Sequence, residues 1–219
     1  LWLDMNEASN FCNGVCYAEQ AIEDTAAKKL PYVPSGRNIE EKSISVDAVH
    51  MLADGETVTE LDAHSTFSTL QTKATSDWFN ENGMRTMIIA RSSFAGQGNH
   101  ASRWLGDNFS DYSMMGYSVT GVMLSNIVGI PLAGSDICGF LGSTTADLCA
   151  RWHTVGAFYP FSRNHNDIQG TPQEPWVWNN EFPYDEGVVT YTEVMRNAVL
   201  TKYSMLPYYY TGLFEISMG

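Results

Sequence analysis

No apolar run in this chain approaches the roughly 18 residues needed to cross a bilayer, so this stretch offers no membrane span. Basic residues are scarce. Lys and Arg number 12 against 25 Asp and Glu, a net charge of −13. A nucleic-acid partner needs a basic face to displace counterions, and that deficit argues against one. There is no internal repeat and no low-complexity tract. No leader is visible, but the chain opens inside what reads as a buried strand, Leu1-Trp2-Leu3-Asp4, so that absence excludes nothing. Cysteine is sparse: Cys12, Cys16, Cys138 and Cys149 allow three fully paired arrangements. Cys12-Asn-Gly-Val-Cys16 has the spacing of a metal knuckle, but no matching Cys or His pair lies nearby, which speaks against zinc. Each close pair could be a local disulfide, implying an oxidising compartment; free buried thiols are the alternative.

What is present suits a folded domain. The 219 residues, 44% of them hydrophobic, can build a real core or part of a larger one. Five short apolar runs have the length of strands buried on both faces: Leu1–Met5, Met84–Arg91, Ser102–Asp107, Gly129–Asp136 and Ala157–Arg163. Helical stretches separate them. Thr57-Val-Thr-Glu60 reads as a capping box, followed by a stripe of Leu61, Phe67, Leu70, Ala74 and Trp78 and a stop at Gly83. Asp111 caps a second helix reaching Val128, closed by Gly129 and Pro131. Thr144 opens a third, with Leu148, Trp152 and Val155 inward. Tyr191, Val194, Met195, Ala198 and Lys202 mark one face of a long last helix, which Pro207 should end or kink. The connection 92–101 is too short for a full helix. Strand and helix alternate without a hairpin signal, which points to the α/β class with a parallel sheet and helices outside. Residues Ala8–Glu56 have no steady period and read as a functional loop or inserted subdomain.

In parallel α/β folds chemistry collects where strands end. The five runs end at Asp4, Arg91, Asp107, Asp136 and near His165, a ring of charge around one mouth. Two facing carboxylates can cleave a glycosidic bond, one attacking as the anion and the other delivering a proton to the leaving oxygen. Spacing in sequence does not say which does which. Trp2 and Trp104 lie close before Asp4 and Asp107, and an indole face can stack on a pyranose or simply pack the core. Arg91 can hold a carboxylate or bond sugar hydroxyls, or be a plain surface ion pair. His165, in Ser-Arg-Asn-His-Asn-Asp, is too polar in its surroundings for a core histidine.

The blocks LWLDMNE, RSSFAGQGNHASRWLGDN, GIPLAGSDICGF and RWHTVGAFYPFSRNHN, in this order along the chain, resemble the signature blocks of glycoside hydrolase family 31, the α-glucosidases and their relatives. The resemblance implies a (β/α)8 TIM barrel and a retaining mechanism that needs no metal or organic cofactor. It maps the nucleophile onto Asp4 and the acid/base onto Asp107, with Glu7 supporting the nucleophile loop. Around the first sugar it implies Met5, Arg91, Trp104, Asp136, Phe140 and His165. It also implies a disulfide between Cys138 and Cys149. On this reading the chain carries strands four to eight of the barrel and their helices. Residues 8–56 are the insertion after strand four, and the N-terminal half of the barrel is missing, so that residues 1–219 form a partial catalytic domain that is inactive alone. Asn108-Phe109-Ser110 is a glycosylation sequon, discounted because a glycan there would block the acid/base.

The expected partner is an oligosaccharide or α-glucoside, with no nucleic acid, in a protein of the secretory pathway: lysosomal, in the endoplasmic reticulum, or extracellular. Competing readings are an α-xylosidase, sulfoquinovosidase or α-transglucosylase of the same family, and an inactive homologue acting as a carbohydrate-binding or interaction subunit. Both candidate carboxylates are present, which disfavours the last.

Overall fold

In a computed structural model of the chain, residues 1–17, 29–32, 39–179 and 189–218 are described. The chain divides into two compact units, Leu1–Phe94 and Ala95–Gly219.

The first unit runs through β1 (Trp2–Leu3), β2 (Val49–Met51), β3 (Thr57–Thr59), α1 (Glu60–Ala63), α2 (Phe67–Glu81) and β4 (Ile89–Ala90). β1 and β4 pair in parallel, Trp2 opposite Ile89 and Leu3 opposite Ala90. Ile88, Ile89 and Ala90 are buried, as an apolar run covered on both faces should be. The expected strand from Met84 is shorter, because β1 offers two residues to pair with; Met84 and Met87 are exposed.

The expectation of a chain without hairpins is wrong here. β2 and β3 are antiparallel, Val49 opposite Thr59. Their turn holds Asp54-Gly55, with Gly55 at φ +88°, and that dipeptide is a hairpin signal. The capping box does not form either, since Thr57 lies in β3. Glu60 is instead fully buried, with His50 Nε2 2.5 Å from Oε2 and His64 Nδ1 2.7 Å from Oε1. A buried carboxylate is stable only with such partners, and they compete successfully with a surface cap.

The stripe on α2 points the other way from expectation. Phe67, Leu70 and Trp78 are exposed, and the helix buries Ser68 and Thr72. These small residues close their own hydrogen bonds: Thr72 Oγ1 donates to Ser68 O at 2.7 Å, and Ser92 Oγ to Ser68 Oγ at 3.0 Å. Gly83, at φ +64°, ends the helix as expected, its N–H donating to Asn80 O. Of the stretch 8–56, residues 18–28 and 33–38 lie outside the described residues. What is described includes a Cys12–Cys16 disulfide and a bridge from Gly14 to Ile44.

The second unit alternates strand and helix more regularly. Its elements are β5 (Ser102–Trp104), α3 (Tyr112–Ile127), β6 (Ala133–Gly134), β7 (Asp136–Ile137), α4 (Ala146–Gly156), β8 (Arg163–Asn164) and α5 (Tyr191–Met218). β5 pairs with β6 and β7 with β8, both in parallel. The expected run Gly129–Asp136 is thus two strands that change partner at Ser135. The short connection before β5 holds a single 3-10 turn, Gln97–Asn99.

Asp111 caps α3 by accepting from Met114 N at 2.8 Å. The cap of α4 is Thr145, one residue after the expected Thr144, accepting from Leu148 N. α4 turns Leu148, Cys149 and Trp152 onto a core with Ile137, Tyr159 and Met195. Burying the Met195 side chain alone stabilises by about 1.5–3 kcal/mol. The expected strand from Ala157 begins only at Arg163, because Ala157, Phe158 and Tyr159 wind onto the end of α4, donating to His153 O, Val155 O and Gly156 O. α5 buries Tyr191, Met195 and Ala198 as the pattern implies. Pro207 does not end it. Contacts on both sides of the proline hold the helix down: Lys202 Nζ donates to the carbonyls of Tyr159 and Pro160 and lies 4.1 Å from the Tyr209 ring centroid, and Tyr209 Oη donates to Phe158 O at 2.8 Å.

Candidate active site

The register of β1 against β4 sets the first half of the site. Leu3 lies opposite Ala90, so the next residues, Asp4 and Arg91, emerge side by side. Arg91 N donates to Leu3 O at 3.1 Å. The guanidinium of Arg91 places Nη1 3.2 Å from Asp4 Oδ1 and forks onto Glu7, Nε to Oε1 at 2.8 Å and Nη2 to Oε2 at 3.1 Å. Two like charges are thereby held by one cation. Met5 sits between them at φ +52°, a left-handed turn that a methionine rarely adopts, with its side chain exposed. That turn brings Asn6 back against β4. Asn6 is buried, and its Oδ1 accepts from Ser92 N at 2.9 Å.

The Arg91 hydrogen bond holds the Glu7 carboxyl below its ordinary value of 4.5, against a smaller opposing effect of burial. Its folded pKa being depressed, the ion pair contributes stability above about pH 4.5, and this is lost as pH falls through the lowered value. Glu7→Gln should therefore destabilise the full-length protein at pH 7, with the gap to wild type closing below pH 4.5. The Glu7 side chain is 38% exposed, so solvent screening keeps the gap under about 1 kcal/mol. Urea unfolding at pH 7 and pH 3 measures it.

In the second unit β5 ends at Trp104, and Gly106 at φ +82° turns the chain so that Asp107 is exposed. Asn108 turns inward and is buried. Its Nδ2 donates to Ser135 Oγ at 2.8 Å and Asp136 O at 3.0 Å, while its Oδ1 accepts from Phe140 N at 2.9 Å. A side-chain nitrogen so engaged is not available to a glycan, a second reason to discount the sequon. Asp136 and Arg163 are register partners in β7 and β8. Asp136 is fully buried, and Arg163 Nε donates to its Oδ1 at 3.1 Å. Trp104 is also buried, with the Arg163 guanidinium carbon 5.7 Å from its ring centroid. Phe140 and His165 stack, centroids 5.3 Å apart and planes 24° apart.

Cys138 and Cys149 form a disulfide, so both cysteine pairs are closed locally. Cys138, Cys149 and His153 are the group of potential metal ligands found among the described residues, within 4.8 Å of one another. Both sulfurs are spent on each other, and His153 Nδ1 lies 2.9 Å from Cys149 O. Burial lowers the His153 pKa, favouring the neutral ring.

In the first unit the structure thus brings Asp4, Met5, Glu7 and Arg91 together. In the second it links Trp104 with Asp136, and Phe140 with His165. Three residues escaped the reading of the sequence: Asn6, Asn108 and Arg163. The two asparagines share a signal, each following a strand-end aspartate within two residues. Arg163 stood two residues before His165 and was passed over as the end of an apolar run.

The model of the glycosyl hydrolases family 31 TIM-barrel domain matches residues 1–212. The chain belongs to glycosyl hydrolase family 31. Among its relatives in that family, lysosomal alpha-glucosidase of Rattus norvegicus is 38% identical over 214 residues, covering 96% of this chain and 21% of the relative. Intestinal sucrase-isomaltase of Homo sapiens is 35% identical over 221 residues, covering 99% and 12%. The chain thus spans about a fifth or less of the length of these family members. Among solved structures, the ER glucosidase II heterodimeric complex of catalytic subunit and regulatory-subunit binding domain matches with a TM-score of 0.72 and 27% identity, covering 99% of this chain and 20% of that one. A family 31 alpha-glucosidase from Bacteroides thetaiotaomicron matches with a TM-score of 0.61 and 33% identity, covering 76% and 27%.

Proposed function

We propose that this chain carries the catalytic carboxylates of a retaining α-glucosidase, which releases α-linked glucose from the non-reducing ends of oligosaccharides. The observation that carries the reading is the Arg91 clamp on Asp4 and Glu7 at the ends of paired parallel strands, within a chain of family 31. A nucleophile must be aimed, and a guanidinium bonded to a second carboxylate is a fixed aim. In the first step an Asp4 oxygen bonds to the anomeric carbon as the glycosidic C–O bond breaks, and Asp107 gives its proton to the leaving oxygen. In the second, Asp107 takes a proton from water, the hydroxyl bonds to the same carbon, and Asp4 departs. Met5, Arg91, Trp104, Asp136, Phe140 and His165 surround the sugar. None of these steps calls for a metal or organic cofactor.

The strands are staves four to eight of a (β/α)8 barrel on this reading, with residues 8–56 an insertion after the fourth, and the other staves lie outside this chain. Coverage of only a fifth of the relatives supports that division. Two local disulfides, and relatives named as lysosomal and ER enzymes, support residence in the secretory pathway.

The test is stereochemical. With the full-length protein and maltose, proton NMR at early times should show α-glucose formed first, relaxing to the anomeric mixture afterwards. Initial β-glucose would mean inversion and would overturn the double-displacement reading; no hydrolysis of maltose, isomaltose or an aryl α-glucoside would overturn the activity.

A further inference from the structure

We propose that Arg163 is a positioning residue for the first sugar subsite, acting through Asp136 and Trp104. The proposal rests on the glycosidase reading above. Parallel pairing of β7 with β8 puts Asp136 and Arg163 directly opposite each other. The Asp136 side chain is 1% exposed and the Arg163 side chain 25% exposed, so the guanidinium reaches inward to meet the acid. Its Nε and Nη2 converge on one carboxylate oxygen, Oδ1, which holds that oxygen in place. The same guanidinium carbon stands 5.7 Å from the centroid of Trp104, a residue of β5. One side chain on β8 thus sets two residues, on β7 and β5, that the reading assigns to the sugar.

The backbone beneath Arg163 is held tightly. A Cβ on Gly134 would lie 1.9 Å from Phe161 O, so β6 and the chain leading into β8 are in direct backbone contact. The next residue, Asn164, exchanges hydrogen bonds with Gln173: Asn164 Nδ2 donates to Gln173 O and Gln173 Nε2 to Asn164 Oδ1, each at 2.9 Å. Arg163 therefore projects from a fixed frame. Arginine is required for the double task. A guanidinium offers a planar fork to a carboxylate and a flat cation to an indole, whereas an ammonium offers one point charge.

Arg163→Lys and Arg163→Gln, made in the full-length protein, test this with maltose. Loss of a charge-assisted fork should lower kcat/KM by about 10- to 100-fold, carried mainly by a rise in KM. A merely structural residue would lower the active fraction, and hence kcat, with KM unmoved. If Arg163 acts through Asp136, Arg163→Lys in an Asp136→Asn background should cost less than about threefold. An unchanged KM in whichever single variant is soluble, or the same loss with and without Asp136, would overturn the proposal. Failure of the parent reading shows itself separately: wild type would then not hydrolyse maltose, or Asp4→Asn would retain its activity on it.

Discussion

On the proposed reading, Asp4→Asn in the full-length protein should lower turnover of maltose by about 10⁴- to 10⁶-fold, the range seen when a covalent nucleophile is lost. The geometry makes this substitution informative. Asparagine keeps the size of the side chain and an oxygen that can still take the Met5 N–H, which Asp4 Oδ1 now accepts at 2.8 Å. Arg91 keeps its two hydrogen bonds to Glu7, so its position does not depend on Asp4 alone. The fold around β1 and β4 is therefore expected to survive, with thermal stability close to wild type. What is lost, on the proposed reading, is the oxygen that bonds to the anomeric carbon. In Asp4→Ala, where the carboxyl group is absent and its space is open, azide supplied in solution can take that place with an activated α-glucosyl fluoride, giving β-glucosyl azide, inverted once. Retained turnover of maltose by a folded Asp4→Asn protein would remove Asp4 from the nucleophile's role.

Why Asp4 was legible in the sequence, and Asn6 was not, follows from what each side chain does. Asp4 ends a short apolar run, and an acid at the end of a buried strand stands out by period alone. Asn6 works by hydrogen bonding to the backbone of Ser92, 86 positions away; its place two residues after a strand-end aspartate is visible locally, but its partner is not. Asn108 is the same case, reaching Ser135, Asp136 and Phe140. Helix ends coded by a single local bond were readable, as with Asp111 and Gly83. The capping box gives way because His50 of β2, together with His64 four residues on, offers a buried Glu60 carboxylate two partners that a surface cap does not. The α2 stripe was misread for a related reason: helical period names a face but not which face turns inward, and Ser68 with Thr72 permits the closer approach. Arg163 carried both difficulties. Its partners come from other strands, and its place at the end of an apolar run carries no local sign of them.

Asp107→Asn should produce a different and more diagnostic loss. Asp107 is exposed, while its neighbour Asn108 is anchored through side chain and backbone, its carbonyl accepting from Phe140 N at 3.0 Å and Leu141 N at 2.8 Å. The loop that carries Asp107 is thus tied to the segment following β7, and an Asn at 107 leaves those bonds untouched. On the proposed reading a proton donor is lost without a change of frame. Its absence matters in proportion to how badly the leaving group needs a proton. Maltose, whose second glucose would have to leave as an alkoxide, should slow by about 10²- to 10⁴-fold. An α-glucosyl fluoride needs no proton to depart, so formation of the glycosyl-enzyme should be nearly as fast as in wild type, and its hydrolysis, without a base to activate water, becomes the slow step. Azide needs no such base. It should accelerate turnover of the fluoride and yield α-glucosyl azide, because it attacks an intermediate already inverted once. The product anomer therefore separates the two roles: β from Asp4→Ala, α from Asp107→Asn. The opposite pairing would exchange the assignments. Equal lowering of kcat/KM, which reports the first step, for maltose and the fluoride by Asp107→Asn would remove it from acid catalysis altogether, and with it the retaining pair.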